Sequence, residues 1–279
     1  MDYLTIAIFA FMSVQFFQTP DCVQIAYELK GELTENTPLL FLNGMFGDMP
    51  FWDTLVEALS PDRLCVRMDH RGVGLSERWI GTYSYELYAQ DVLELLNHLH
   101  IERVHVVGLC HGGMVGAVLA RDYPARLASL SLLGSRLLRS EKMRLYETLR
   151  RDFIQREGVV AMSMMQSWII FGESFLQEHA PYLQAMANNS TQRISQESAV
   201  LMVDAIIDFE MSPAEISAMT VPAQFIVGEE DTYSPPWLVK RSAALWPNAR
   251  FIEIPRCAHI LPREAFAQLH NLLQTFIGH

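Results

Sequence analysis

The 279-residue chain predicts an α/β fold: short apolar strands alternate with helices and are interrupted once by a long helical insertion. Three observations predict it. The run Val104-His105-Val106-Val107 passes through the turn Gly108-Leu109-Cys110-His111-Gly112 into a small-residue helical stretch over 113–120. Other short apolar runs, at 39–42, 223–228 and 250–254, each end in a loop that leads to a helical pattern. Between the run at 127–133 and the one at 223 lie about ninety residues of helical periodicity with no strand-like run, too long for a simple connection.

Residues 1–11 are apolar but far shorter than the roughly 20 residues a membrane span needs, and they lack the positive region and small-residue cleavage site of a signal peptide. They are expected to be an appendage, with Met12 the natural start. Residues 13–18 alternate like a strand, and 23–29 read as the hairpin partner. The strand at 39–42 runs into Asn43-Gly44-Met45-Phe46-Gly47-Asp48, a tight glycine loop, and then a helix holding Phe51, Trp52, Leu55, Val56 and Leu59. Such a turn needs no function by itself. A core is expected over 12–135 and 216–279, with a helical cap over 136–215 inserted as a lid above the strand ends. The start of the cap, 136–156, is basic and amphipathic. Its middle is rich in Met162, Met165, Trp168, Phe171 and Phe175, side chains that can line an adaptable apolar pocket. A stripe of this kind is more often the face on which a cap packs. Phe46, Trp168 and Phe171 are the candidate substrate contacts.

Cys110 is the distinguishing residue. Glycines two before and two after it supply positions without Cβ, which a sharp strand-to-helix turn needs where chain segments approach closely. The turn pushes the thiol into the open at a helix N-terminus, where the dipole favours a thiolate. A buried structural cysteine is the plainer alternative. A nucleophile needs a base, and the base needs an orienting acid. The strand at 223–228 runs into Glu229-Glu230-Asp231, and that at 250–254 leads through Arg256-Cys257-Ala258 to His259 and a helix beginning near Pro262. Asp231 is the candidate acid and His259 the candidate base. Three acids on one loop are most often solvated surface, and Glu230 is the alternative acid. The His111 side chain, beside the nucleophile but aimed elsewhere on such a turn, is given no base role.

With these features the chain resembles the α/β-hydrolase superfamily from about Ser13 to its C-terminus. The order Cys110, Asp231, His259, each at or just beyond a strand end, is that superfamily's triad order. Asp69-His70-Arg71-Gly72-Val73-Gly74-Leu75-Ser76 is similar to its D-x-R-G-x-G-x-S turn after the fourth strand, and Tyr123-Pro124-Ala125-Arg126-Leu127 to its link into the sixth. These are scaffold motifs, in which Asp69 and Arg71 tie down neighbouring loops. The resemblance implies an α/β-hydrolase fold: a mostly parallel eight-stranded sheet flanked by helices, with the helical cap inserted. It also implies an oxyanion hole whose backbone N–H donors are Met45 and His111. Within the superfamily the core is similar to enol-lactonases and esterases with a helical cap, and the cysteine to dienelactone hydrolases and polyhydroxyalkanoate synthases. Two residues depart from the pattern: Asn43, where many members have histidine, and Cys110, where most have serine.

Composition agrees with an enzyme of that kind. Half the residues are hydrophobic and 19% are charged, enough for a large core in one domain plus an insertion. A net charge of -11 without a basic patch argues against a nucleic-acid partner. Cys22, Cys65, Cys110 and Cys257 form no C-x-x-C pair, which argues against zinc and a disulfide framework and for a reducing, cytoplasmic compartment. No metal or organic cofactor is expected. The expected function is hydrolysis of an activated ester, lactone or thioester, small-molecule or carrier-bound, through a Cys-His-Asp triad and an acyl-cysteine. Acyl transfer by the same intermediate, a ligand-binding protein without the chemistry, and carbon–carbon hydrolysis are the alternatives.

Overall fold

Eight strands form one sheet in a computed structural model that describes residues 13–278. The appendage expected at 1–11 lies outside the described residues. The strands are β1 (Gln15–Gln18), β2 (Gln24–Lys30), β3 (Leu39–Leu42), β4 (Cys65–Met68), β5 (Val104–Leu109), β6 (Leu127–Leu133), β7 (Ala223–Gly228) and β8 (Ala249–Ile254). Their spatial order is β1-β2-β4-β3-β5-β6-β7-β8. The β1–β2 hairpin and the β2–β4 pair are antiparallel, and every other pairing is parallel.

The central strands are apolar on both faces because both faces are covered. All of β3 and β7 is buried, whereas the edge strands β1 and β8 are only partly so. Alternate residues point to opposite layers. Leu40, Leu42, Val106 and Leu130 pack toward α2 (Tyr85–His98) and α3 (His111–Asp122), which contribute Leu95 and Val118. Leu39, Phe41, Val107 and Ile226 pack toward α1 (Asp53–Leu59), which contributes Leu55 and Leu59. Each such side chain, once fully buried, stabilises the fold by about 1.5–3 kcal/mol relative to exposure.

Between β6 and β7 come α4 (Glu141–Ile170), α5 (Glu173–His179), α6 (Leu183–Asn188), α7 (Ser190–Arg193), α8 (Gln196–Asp208) and the short α9 (Pro213–Ser217). Gly158, at φ 81° and ψ 174°, breaks α4 into two helical halves. The first half is not simply a solvated basic face: Arg136, just before it, and Arg150 and Glu147 within it are buried. After β7 come α10 (Pro236–Leu245) and, beyond β8, α11 (Leu261–Glu264) and α12 (Phe266–Ile277), whose Leu269 and Leu273 join the α1 layer. Among the described residues no helix is long and apolar enough to cross a membrane.

The turn after β4 ties loops together as expected. Asp69 Oδ1 accepts from Met49 N at 2.7 Å and Oδ2 from Leu75 N at 2.9 Å. Arg71, fully buried, donates to Asp91 and Asp21, so its charge is paired rather than stranded in the interior.

Candidate active site

Cys110 joins β5 to α3 at φ 49° and ψ -106°, a conformation an L residue holds only when its surroundings enforce it. The enforcement is local. Cys110 N donates to Leu133 O at 2.7 Å, and its carbonyl accepts from Ser135 Oγ at 3.0 Å. A Cβ on Gly108 would run into the Gly112–Gly113 backbone, and one on Gly112 into the Leu42 carbonyl. Both positions flanking the turn therefore need glycine.

His259 and Asp231 arrive from the ends of β8 and β7. His259 Nδ1 lies 2.7 Å from Asp231 Oδ2, while Asp231 Oδ1 accepts from Ser234 N at 2.7 Å. Both side chains are buried. Burial alone would disfavour the imidazolium, but the Asp231 carboxylate and the Cys110 side chain outweigh it and raise the His259 pKa to about 10. Glu230 turns away: its Oε2 accepts from Glu173 N at the start of α5.

Loops from the insertion are pinned to this pair. His259 N donates to Ile170 O at 3.0 Å, and Thr232 Oγ1 donates to Ile169 O at 2.9 Å, so the last turn of α4 rests on both loops. Glu264 accepts from Gly172 N, Ala258 N and Ile260 N and braces the histidine loop from below. Gly134, at the end of β6 with φ 54°, passes close beside the imidazole and carboxylate. No sequence signal marked Gly134 or Glu264, because their roles arise only when strand ends converge.

The loop after β3 faces the same space. Gly47 N donates to Gly44 O at 3.0 Å, Phe46 sits at φ 65°, and Met45, inside this turn, is partly buried and lines the cavity. Among the described residues neither Met45 N nor His111 N donates to an acceptor. Asn43, standing where histidine is usual, is buried and donates to Met68 O at 3.0 Å, a structural tie beneath the loop. The His111 ring is buried under the elbow, with Nδ1 3.0 Å from the Tyr85 hydroxyl and its edge against His70. Desolvation drives its pKa well below the ordinary value, and the ring stays neutral.

Cys110 and His259 line a cavity of about 320 Å³, walled by the loop after β3 and by α4, α6 and α7. Phe46 and Phe171, two of the three candidate substrate contacts, line it. Trp168 does not: its side chain is 67% exposed, on the outer face of α4. Helical periodicity located the apolar stripe without saying which face turns inward. Arg150, Arg193 and Arg263 also line the cavity, and sequence reasoning had not singled out any of them.

An eight-stranded, mostly parallel sheet with a strained strand-to-helix turn at Cys110 and a histidine–carboxylate pair at two later strand ends defines a hydrolase of the α/β fold. The alpha/beta hydrolase fold family matches residues 37–265, and the chain belongs to it. "Putative carbamate hydrolase RutD" of Azorhizobium caulinodans is 25% identical over 253 residues, which span 90% of this chain and 94% of that protein. The enol-lactonase from Burkholderia xenovorans LB400 has a TM-score of 0.87 at 24% identity, with 95% of this chain and 100% of that one covered. A thermophilic esterase from Thermogutta terrifontis has a TM-score of 0.84 at 24% identity, with 95% and 98% covered.

Proposed function

We propose that the protein hydrolyses activated acyl compounds, whether esters, lactones or thioesters, through Cys110, His259, Asp231 and an acyl-cysteine intermediate. The observation that carries this reading is the meeting of a strained cysteine and a histidine in one cavity, with a buried carboxylate 2.7 Å from Nδ1 of that histidine. Asp231 accepts a hydrogen bond from the Nδ1–H of His259, so that Nε2 takes the proton of the Cys110 thiol and leaves the thiolate. The thiolate attacks the carbonyl carbon, a C–S bond forms, and the carbonyl electron pair moves onto oxygen. The N–H groups of Met45 and His111 receive that charge, a contribution of about 3–4 kcal/mol per donor where such donors have been removed. Collapse expels the leaving group, which takes its proton from His259. Acylation also removes the sulfur charge that helps hold the His259 proton, so the ring is freed to act as base toward water.

Cysteine narrows the substrate class. A thiolate leaves more readily than an alkoxide, so the tetrahedral intermediate reverts unless the substrate's own leaving group is good. Enol-lactones, strained lactones and thioesters meet that condition better than simple alkyl esters. One similar protein is named a putative carbamate hydrolase and two similar folds an enol-lactonase and an esterase, all names for hydrolysis at a carbonyl, which supports the reading. Phe46 and Phe171 provide the apolar wall for the acyl chain. A small-molecule or carrier-bound donor in a reducing, cytoplasmic setting fits four cysteines that are all unpaired.

Acyl transfer is the second reading, favoured by the thiol itself, because a thioester intermediate reacts with amines as well as with water. Turnover of a panel of p-nitrophenyl esters, lactones and acyl thioesters tests both. Hydrolysis that disappears in Cys110→Ala and His259→Ala supports the reading, and product diverted to an added amine selects transfer. Full turnover by Cys110→Ala refutes it.

A further inference from the structure

Arg150 ends in the cavity that holds Cys110 and His259, and the acyl-cysteine scheme makes no use of it. Its side chain is 1% exposed, and that of Arg136 is 7% exposed. These two guanidinium groups share one carboxylate, Glu147. Arg136 Nη2 lies 3.4 Å from Oε1, which the Tyr233 hydroxyl also approaches at 2.5 Å. Arg150 Nη2 lies 2.7 Å from Oε2 but without the alignment of a hydrogen bond. Two buried cations share one carboxylate, and the Cys110 sulfur also acts on both through space, so once acylation takes away the sulfur charge an excess positive charge remains where an unmatched charge is costly.

The remaining partners of Arg150 are neutral and poor: the Met45 sulfur at 2.7 Å and Gln166 Oε1 at 3.4 Å. Its Nε has no partner among the described residues. A guanidinium carries five N–H donors in a planar fork that matches a carboxylate. The rings of Phe46, Tyr146 and Tyr233 lie within 5.8 Å of its central carbon and hold it in position. The rest of the cavity has the same sign, since Arg193 and Arg263 also line it and Asp48 is the one acidic residue among its described lining. A positive cleft in a chain of net charge -11 concentrates anions at that point.

We propose that the acyl substrate carries a free carboxylate and that Arg150 binds it inside the cavity, which makes Arg150 the residue that selects the substrate. This rests on the acyl-cysteine reading and narrows its substrate class.

The test is kcat/KM for two ester pairs that differ by one carboxylate. Mono-p-nitrophenyl glutarate against p-nitrophenyl pentanoate puts the charge on the acyl side, and 4-acetoxy-3-nitrobenzoate against its methyl ester puts it on the leaving group. The wild type should favour the charged member of at least one pair by about tenfold or more, the size of a charge-assisted hydrogen bond. Arg150→Gln should erase that preference, and Arg150→Lys should keep part of it. Each preference is a ratio within one preparation, so partial misfolding of a variant cancels. Equal rates within both pairs in the wild type, or a preference that survives Arg150→Gln, overturns the proposal. Arg150→Gln slowing charged and neutral esters by the same factor also overturns it, because the guanidinium would then serve the sulfur or the oxyanion. Intact-mass detection of Cys110 acylation by the neutral esters separates the two ideas. Its absence removes the acyl-cysteine reading and this proposal with it, whereas its presence without a charge preference removes the carboxylate alone.

Discussion

Gly134 is moulded to His259: a Cβ on this glycine would stand 3.0 Å from the imidazole Nδ1 and 3.2 Å from Asp231 Oδ2. The end of β6 thus closes against the hydrogen bond between His259 and Asp231. Alanine there meets two obstacles, the φ of 54° and the imidazole itself. Gly134→Ala is expected to lower stability by about 1–3 kcal/mol and to lower kcat/KM by about a hundredfold, the scale of a small misplacement of a reacting group. Urea melts and ester kinetics on the same preparation check both, and an alanine variant with wild-type kinetics would show that the ring does not need this fit.

Asp231 and Glu230 should separate cleanly. Asp231→Asn leaves the imidazole in the wrong tautomer and is expected to lower kcat by about four orders of magnitude, as in the serine-protease triad. Glu230→Gln should change it by only a small factor, because Glu230 accepts from Glu173 N and not from His259. Comparable losses in the two variants would reassign the acid.

Stability should carry the signature of the raised His259 pKa. Below its unfolded value of 6.5 both states hold the proton and the attraction to Asp231 contributes in full. Between 6.5 and about 10 only the folded state holds it, so the contribution fades as pH rises and is gone above about 10. The stability gap between wild type and Asp231→Asn is therefore expected to narrow across that window. Melts at a series of pH values read it directly, and a gap that stays constant contradicts an imidazolium in the folded state.

Glu147 is the carboxylate that two buried arginines share. Glu147→Gln is expected to cost about 3–5 kcal/mol, the usual consequence of removing one partner from a buried ion pair. Glu210, paired with Arg139 at 3.1 Å where both side chains are nearly half exposed, is the control: Glu210→Gln should leave the denaturation midpoint unchanged. Equal effects would mean that Glu147 is solvated in a way its burial does not suggest.

The elbow was legible because sterics write it into the chain: Gly108 and Gly112 are needed where the backbone of α3 and the Leu42 carbonyl leave no room for a side chain. The strands were legible for a similar reason: β3 is buried throughout and wholly apolar, while β5 and β7 are interrupted by one polar residue each, His105 and Gln224. The cavity was harder. Trp168 and Phe171 share one stripe, yet Phe171, just past the end of α4, lines the cavity while Trp168, in its last turn, stands in solvent. Arg150 read as one charge among several on a basic helix. What makes it unusual is that its neighbours Glu147, Tyr146, Phe46 and Tyr233 come from three separate stretches of chain, a fact that only tertiary packing supplies.

The most direct test of the central claim is intact-protein mass spectrometry of wild type, Cys110→Ala and His259→Ala after brief mixing with a p-nitrophenyl ester and an acyl thioester. The acyl-cysteine account predicts one acyl adduct per chain, mapped to Cys110, absent from Cys110→Ala and longer-lived in any His259→Ala that acylates, because the base for deacylation is gone. Turnover of these substrates by Cys110→Ala, or an adduct on another residue, would contradict it.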